Sequence, residues 1–398
     1  MQHRSGLFRR LQRGGEQLLR YSWEDRTVLP VLRSVTYRDT VNGRIFLLLV
    51  TVLLGGCSSD PQYQVVEPPL VPFEELFVLE DTIRLDPSVI IGRISFMDTD
   101  PEGNLLITDS IGDSVFLFSS TGEHIRTYDP LKCLIGREEF SPWNSLFMSE
   151  GKIMTTHVSY GAVVFNPDGS CFSTVQSTPT PFWNSCVHND SLYYYTPIAM
   201  ASSNASLVAY SSELVKLHDI PVKPTVFPVL NDGRMGILGR SIACFDDGPY
   251  FAYQESVDAM PAYAKADLTL QRPKFFVDRP RDLRQNWSRD RQREEWNKYP
   301  SLYGVFALTP QTRMVTHFNL WDRWRPAGLD DQTYFLGIGI VSNTGQFLPR
   351  SIITTIVPIA AGHGYMYERK EHELLPDGEL GNRLIIKYRF VQPENTDD

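Results

Sequence analysis

Apolar and polar residues alternate through most of this chain in short segments, each closed by residues that favour turns. Leu105–Thr108 is followed by the polar stretch Ser110–Ser114, then by Val115–Phe118 and the turn Ser119-Ser120-Thr121-Gly122. A period of two places successive side chains on opposite faces of an extended backbone, so these segments are predicted strands. Pro101-Glu102-Gly103-Asn104, Asn166-Pro167-Asp168-Gly169 and Asn231-Asp232-Gly233 read as hairpin turns, with Gly or Asn supplying the positive φ that such turns require.

The pattern repeats. Asp100–Asn104 with Val115–Gly122 recurs as Met148–Lys152 with Ala162–Gly169, and Trp143-Asn144-Ser145 is echoed by Trp183-Asn184-Ser185. Asn231–Ile237 and Gly362–Tyr367 look like further turn-then-strand units. A repeat of roughly 40–50 residues carrying four strands is the spacing of a β-propeller blade. A small sheet cannot bury both faces alone, and blades stacked around an axis bury them against one another. Met97–Asp109, Val115–Phe118 and Thr121-Gly122 resemble an NHL-type repeat, and Gly136–Pro142 resembles that group's linker between blades. The body as a whole is similar to the six-bladed β-propeller lipoproteins of Bacteroidetes-type bacteria. That resemblance implies an all-β fold of six four-stranded blades, with Asn382–Phe390 as a closing strand. Residues 279–298 interrupt the strand pattern with seven basic and four acidic residues plus Trp287 and Trp296, and read as a helical or irregular insertion.

The N-terminal region is of another kind. Ile45–Leu54 is a ten-residue apolar run preceded by Arg44. It is too short to span a bilayer, which takes about 20 apolar residues, but suits the core of a signal peptide. It ends in Leu54-Gly55-Gly56-Cys57, which resembles the bacterial lipobox; the resemblance implies cleavage before Cys57 and lipidation of its thiol. Forty-four residues ahead of the core is long for such a leader, and a start near Val41 would leave an ordinary one. Three segments follow: 1–56, a leader with signal peptide; 57–75, a lipidated cysteine and Pro-rich tether; and 76–398, the propeller. Ser58 directly after Cys57 fits sorting to an outer membrane by lipoprotein analogy. The expected protein is exported and membrane-anchored.

Composition narrows the partners. Net charge is −9, and because residues 1–56 carry nine arginines against four acids, the remainder stands at −14. An acidic body repels nucleic acid, which is excluded as a partner. Cys133, Cys171, Cys186 and Cys244 allow three complete pairings in an oxidising compartment, with buried free thiols as the alternative. With Cys171 on an outer strand and Cys186 on the next inner one, that pair lies beyond disulfide reach.

Signatures of common catalytic loops and metal sites are absent, and no cofactor or metal is expected. Asp98–Gly103 with Asp109 imitates a calcium loop, but the strand Leu105–Thr108 carries Asp109 away from the turn. Asp109 and His157 occupy equivalent repeat positions where a second strand meets its loop, and Trp143 and Trp183 begin innermost strands. These four are the candidate ligand-binding residues, each set against a plainer role: loop capping for the first two, packing between blades for the tryptophans. The reading is a non-enzymatic envelope lipoprotein whose propeller binds or scaffolds a protein, peptide or glycan. Its alternative is a sugar or lactone hydrolase or lyase with a metal or polar cluster in the central channel.

Overall fold

The computed structural model describes residues 63–64, 70–134, 136, 140–157, 161–175, 184–196, 206–221, 242–251, 260–261, 270–271, 288, 291, 301–318, 324–330, 333–342, 347–374 and 380–392. The leader, Cys57, Trp183, the turn Asn231–Gly233 and nearly all of 279–298 lie outside them.

The chain enters through β1 (Tyr63–Gln64), a one-turn helix α1 (Phe73–Leu76) and β2 (Phe77–Arg84). A four-stranded antiparallel sheet then forms from β3 (Ile94–Thr99), β4 (Leu105–Asp109), β5 (Ser114–Phe118) and β6 (His124–Tyr128). Two more follow with the same up-and-down order. One holds β7 (Pro142–Phe147), β8 (Ile153–His157), β9 (Gly161–Phe165) and β10 (Cys171–Val175). The next holds β11 (Asn184–His188), β12 (Ser191–Thr196), β13 (Ser206–Tyr210) and β14 (Lys216–Pro221). A three-stranded sheet comes next, β15 (Ile242–Phe245), β16 (Gly248–Phe251) and β17 (Met260–Pro261). After the short β18 (Leu270–Gln271) stands the sheet of β19 (Ser301–Thr309), β20 (Thr312–Phe318), β21 (Leu336–Ser342) and β22 (Phe347–Thr354). The last sheet joins β23 (Pro358–Gly362), β24 (Tyr365–Leu374) and β25 (Leu380–Phe390) to β2, in the order β23-β24-β25-β2.

This is a β-propeller. The first strands of successive sheets are neighbours in a closed ring, β3 beside β7, then β11, β15, β19, β23 and again β3. The apolar cores lie between the sheets. Ile83, Ile385 and Tyr367 of the last pack on Ile94, Leu105 and Ile107 of the first. Leu106, Val115 and Tyr128 face Ile153, Val163 and Phe165 across the next gap. Phe306, Ile338 and Ile352 meet Phe77, Met366 and Phe390 at the closing interface. Each interface therefore does the work that a second sheet does in a sandwich.

Three expectations need correction. Where six four-stranded blades are expected, five four-stranded sheets are described, and the place between β14 and β19 is held by the three strands β15–β17. Any fourth strand of that sheet would fall where most residues lie outside the described set. The closing role expected of Asn382–Phe390 is shared: β25 is the third strand of its sheet, and the edge is supplied by β2 from the other end of the chain. The Pro-rich tether is not a free spacer up to residue 75. Leu70 bridges to Ser351, Val71 N–H donates to Ser351 O at 2.9 Å, and Phe73 and Leu76 enter the core. Proline suits this route, because an edge segment and the residue before a helix both dispense with an N–H donor. The four cysteines are bridged, Cys133 to Cys171 with Cα atoms 5.6 Å apart and Cys186 to Cys244 at 5.5 Å. Cys171 is on an outermost strand and Cys186 on the next innermost one, so each reaches a partner on a different element.

The turn Ser119–Gly122 seats the closing blade against the first. Gly122 has φ of 92°, its carbonyl accepts from Asp86 N–H at 2.9 Å, and a Cβ there would lie 2.2 Å from Arg84 O. Only glycine fits, both for its backbone conformation and for the approach of β2. Gly122→Ala is expected to destabilise by about 2 kcal/mol or more, read as a lower urea midpoint with unchanged slope. Loop-closure entropy for bridges spanning 38 and 58 residues is about 4 kcal/mol each, an upper figure for their effect. Replacing either cysteine pair by serine is expected to lower the melting temperature, and peptide mapping without reductant to recover the Cys133–Cys171 and Cys186–Cys244 pairs.

Candidate functional site

The ends of the inner strands enclose a cavity of about 430 Å³ on the propeller axis. All six strands of the ring contribute, through Asp98–Pro101 at the end of β3, Leu146–Ser149 at the end of β7, Ser185–Asn189 along and just after β11, Ile242–Asp246 along and just after β15, Ala307, Thr309 and Pro310 at the end of β19 and Ala361–His363 at the end of β23. The volume is within the usual span of small-ligand pockets, roughly 300–1,000 Å³. Its walls are apolar: Leu146, Met148, Val187, Ile242, Phe245, Ala361 and the Cys186–Cys244 bridge. Polar groups collect where the strands turn over: Asp98, Asp100, His188, Asn189, Asp246 and His363.

Hairpin geometry puts them there. The turns β7–β8, β11–β12 and β23–β24 have two successive residues with positive φ, Glu150-Gly151, Asn189-Asp190 and His363-Gly364. This is the two-residue turn whose twist matches that of paired strands. It places His188, Asn189 and His363 at the cavity end of β11 and β23. Asp100 is partly spent on its own turn, its carboxylate accepting from Asn104 N–H at 2.8 Å and Asn104 Nδ2 at 2.7 Å. Asp98 Oδ2 accepts from Phe147 N–H at 3.1 Å, linking the first two blades. His188 Nε2 lies 2.9 Å from Asn189 Nδ2, and His363 Nε2 lies 3.3 Å from Thr99 O. Behind the wall, burial holds the Tyr367 phenol well above its usual range, with Tyr365 and Asp100 adding to the effect, so it stays neutral.

Asp109 and His157 are placed at the other end of the same strands. Asp109 pairs with Ile94 at the start of β3, and His157 with Pro142 at the start of β7. Four residues of strand, roughly 13 Å, separate those positions from the cavity. The Asp109 carboxylate is wholly buried and accepts from three backbone N–H groups, Gly92 at 2.7 Å, Arg93 at 2.8 Å and Ile111 at 3.0 Å. It ties the loop entering the first blade to the loop leaving β4. His157 packs its ring 5.1 Å from that of Phe140, on the loop entering the second blade. The same register, opposite a bulge in the inner strand, holds His317 in β20 and Glu368 in β24. Glu368 accepts from Tyr388 O–H at 3.0 Å; burial first, then that negative charge and the hydrogen bond, raise the Tyr388 phenol well above its usual range. A polar or titratable residue at this point of a blade is thus a repeated structural feature.

Trp143 is half-buried outside the cavity, and its carbonyl lies 3.3 Å from Ser95 Oγ, which donates to it. Trp183 and Cys57 lie outside the described residues. The echoed residues after the tryptophans matter more. Thr108 Oγ1 donates to Ser145 Oγ at 2.9 Å, Ser145 Oγ to Thr155 Oγ1 at 3.0 Å, and Thr155 Oγ1 to Asn144 O at 3.2 Å. Asn144 Oδ1 accepts from Thr156 Oγ1, and Asn144 Nδ2 donates to Ser185 Oγ at 2.9 Å. This buried chain crosses three blades and ends on the cavity wall. Ser185, His188, Asp246 and His363 were missed from sequence, although each stands beside a turn signal or at a strand end legible there.

Among the described residues, no group of three or more His, Cys, Asp or Glu could hold a metal ion, and no helix is long and apolar enough to cross a membrane. No protein-family model and no curated protein matches the chain. Solved structures do. A protein of Bacteroides fragilis described as exported aligns with a TM-score of 0.56 at 11% identity, covering 82% of this chain and 99% of the other. A member of the DUF4221 family from Bacteroides vulgatus aligns with a TM-score of 0.52 at 7% identity, covering 80% and 98%. At these identities the likeness is one of fold, and it covers nearly the whole of both neighbours.

Asp109→Ala removes a buried carboxylate that accepts from three backbone N–H groups of exposed residues, and is expected to destabilise the fold by about 2 kcal/mol. Chemical denaturation measures the loss; an effect below about 0.5 kcal/mol would show that Asp109 is not the clasp described.

Proposed function

We propose that this chain is an exported, lipid-anchored envelope protein that binds a small ligand or a peptide segment in the cavity on its propeller axis. The cavity walled by all six inner strands carries the binding reading. Apolar walls supply contact area, and a few polar groups at the rim fix orientation. Fold alone does not carry it, since propellers serve many functions.

Export is supported by the apolar run Ile45–Leu54 with Leu54-Gly55-Gly56-Cys57, and by two disulfides, which persist in oxidising compartments. Cys57 is the lipidated residue in this reading, and the outer membrane the destination. In this reading the three strands β15–β17 belong to a sixth blade of the NHL-like pattern.

Two experiments test the parts separately. Cells given radiolabelled palmitate are expected to label the wild-type chain and not Cys57→Ser, which should also leave the membrane fraction; equal labelling would sink the anchor. Native mass spectrometry of the full chain from envelopes should show a bound species that is missing in Ala307→Trp, where an indole fills the cavity. Identical spectra would count against the cavity.

A further inference from the structure

The chemistry of the cavity points to one ligand class. Among the described residues its lining includes three aspartates, Asp98, Asp100 and Asp246, and neither lysine nor arginine. His188 and His363 are the other titratable groups there. Apolar walls exclude water and so concentrate the field of the carboxylates across the opening. An anion entering would lose its hydration and meet like charge; a cation would exchange water for carboxylate. The stem of a lysine or arginine side chain lies well on apolar surface while its charged end stays at a polar rim.

A second, independent feature is a hydrogen-bond donor in the wall. Ser185 is 5% exposed and lines the cavity. Thr156 Oγ1 donates to Asn144 Oδ1, which fixes the orientation of that amide. Asn144 Nδ2 must then donate to Ser185 Oγ. The serine oxygen is an acceptor in that contact, and its own hydrogen remains to be given. Among the described residues none takes it, and the open side of Ser185 is the cavity. A buried hydroxyl in this position suits a carbonyl oxygen of the ligand.

We infer that the cavity recognises a peptide segment through a basic side chain, its cationic nitrogen at the acidic rim beside Asp246, its stem on the apolar wall and a neighbouring carbonyl on Ser185. The inference rests on the cavity being a binding site, and names what that site selects.

The test is calorimetric titration of the full chain in detergent with three blocked dipeptides: acetyl-Leu-Lys-amide, acetyl-Leu-Gln-amide and acetyl-Leu-Glu-amide. The lysine peptide is expected to bind at least tenfold more tightly than the glutamine one, and the glutamate one most weakly. Asp246 is exposed, so Asp246→Asn should fold normally, and it should cut the preference for lysine over glutamine several-fold. Ala307→Trp should abolish binding of all three. Equal affinities across the series would overturn the charge selection while leaving a binding cavity in place. Lysine-peptide binding that survives Ala307→Trp would put recognition elsewhere and overturn the inference, as would the absence of binding by any peptide.

Discussion

The structure depends on closure of a ring between residues from opposite ends of the chain. β2 pairs with β25 from Phe77–Phe390 to Arg84–Leu384, and this ladder lets the last sheet present a complete face to the first. Without it, Ile83 and Leu85 would leave the core that joins those sheets, and Phe77 would leave the one before. The interfaces among the first three blades are made from segments nearer one another in sequence. The closing one bears the larger loop-closure cost, since its partners lie about 300 residues apart. The edge that β2 exposes is charged, with Glu80 paired to Arg389 at 3.1 Å and Arg84 to Glu373 at 3.5 Å. Such charges protect an open strand from pairing with another chain rather than adding much stability.

Closure also decides what the polar residues do. At the loop-entry end of the blades, Asp109 and Glu368 face their own blade's strands and loops and find partners there. At the hairpin end the inner strands converge, and Asp98, Asp100, His188 and His363 line the cavity while holding contacts of their own. The same residue types therefore stand among loops at one end of a strand and along the cavity at the other. The chain Thr108, Ser145, Thr155, Asn144 and Ser185 joins the two regimes, because a network fixed by blade stacking ends in a hydroxyl on the cavity wall. The Cys186–Cys244 bridge ties two inner strands in that same wall, where the adjoining sheet has three described strands.

Residues that a Pro-rich composition marks as a spacer are bound at Tyr63–Gln64 to β18 and from Leu70 onward to β22 and the core, so the chain is already part of the propeller ahead of β2.

By itself the sequence determined the strand pattern, the turns and the class of fold, since period-two alternation and the residues able to take positive φ are local properties. Turns at Pro101–Asn104, Asn166–Gly169 and Gly362–Gly364 form where those residues stand. The repeat also marked Asp109 and His157 as equivalent, which they are in register. Only the tertiary structure decided that their end of the strand is a clasp and the opposite end a cavity. Alternation tells which face of a sheet a residue occupies, not which end of the strand opens onto the axis. It likewise decided the cysteine pairing and the strand that closes the ring, because both join residues whose nearness is created by stacking the blades.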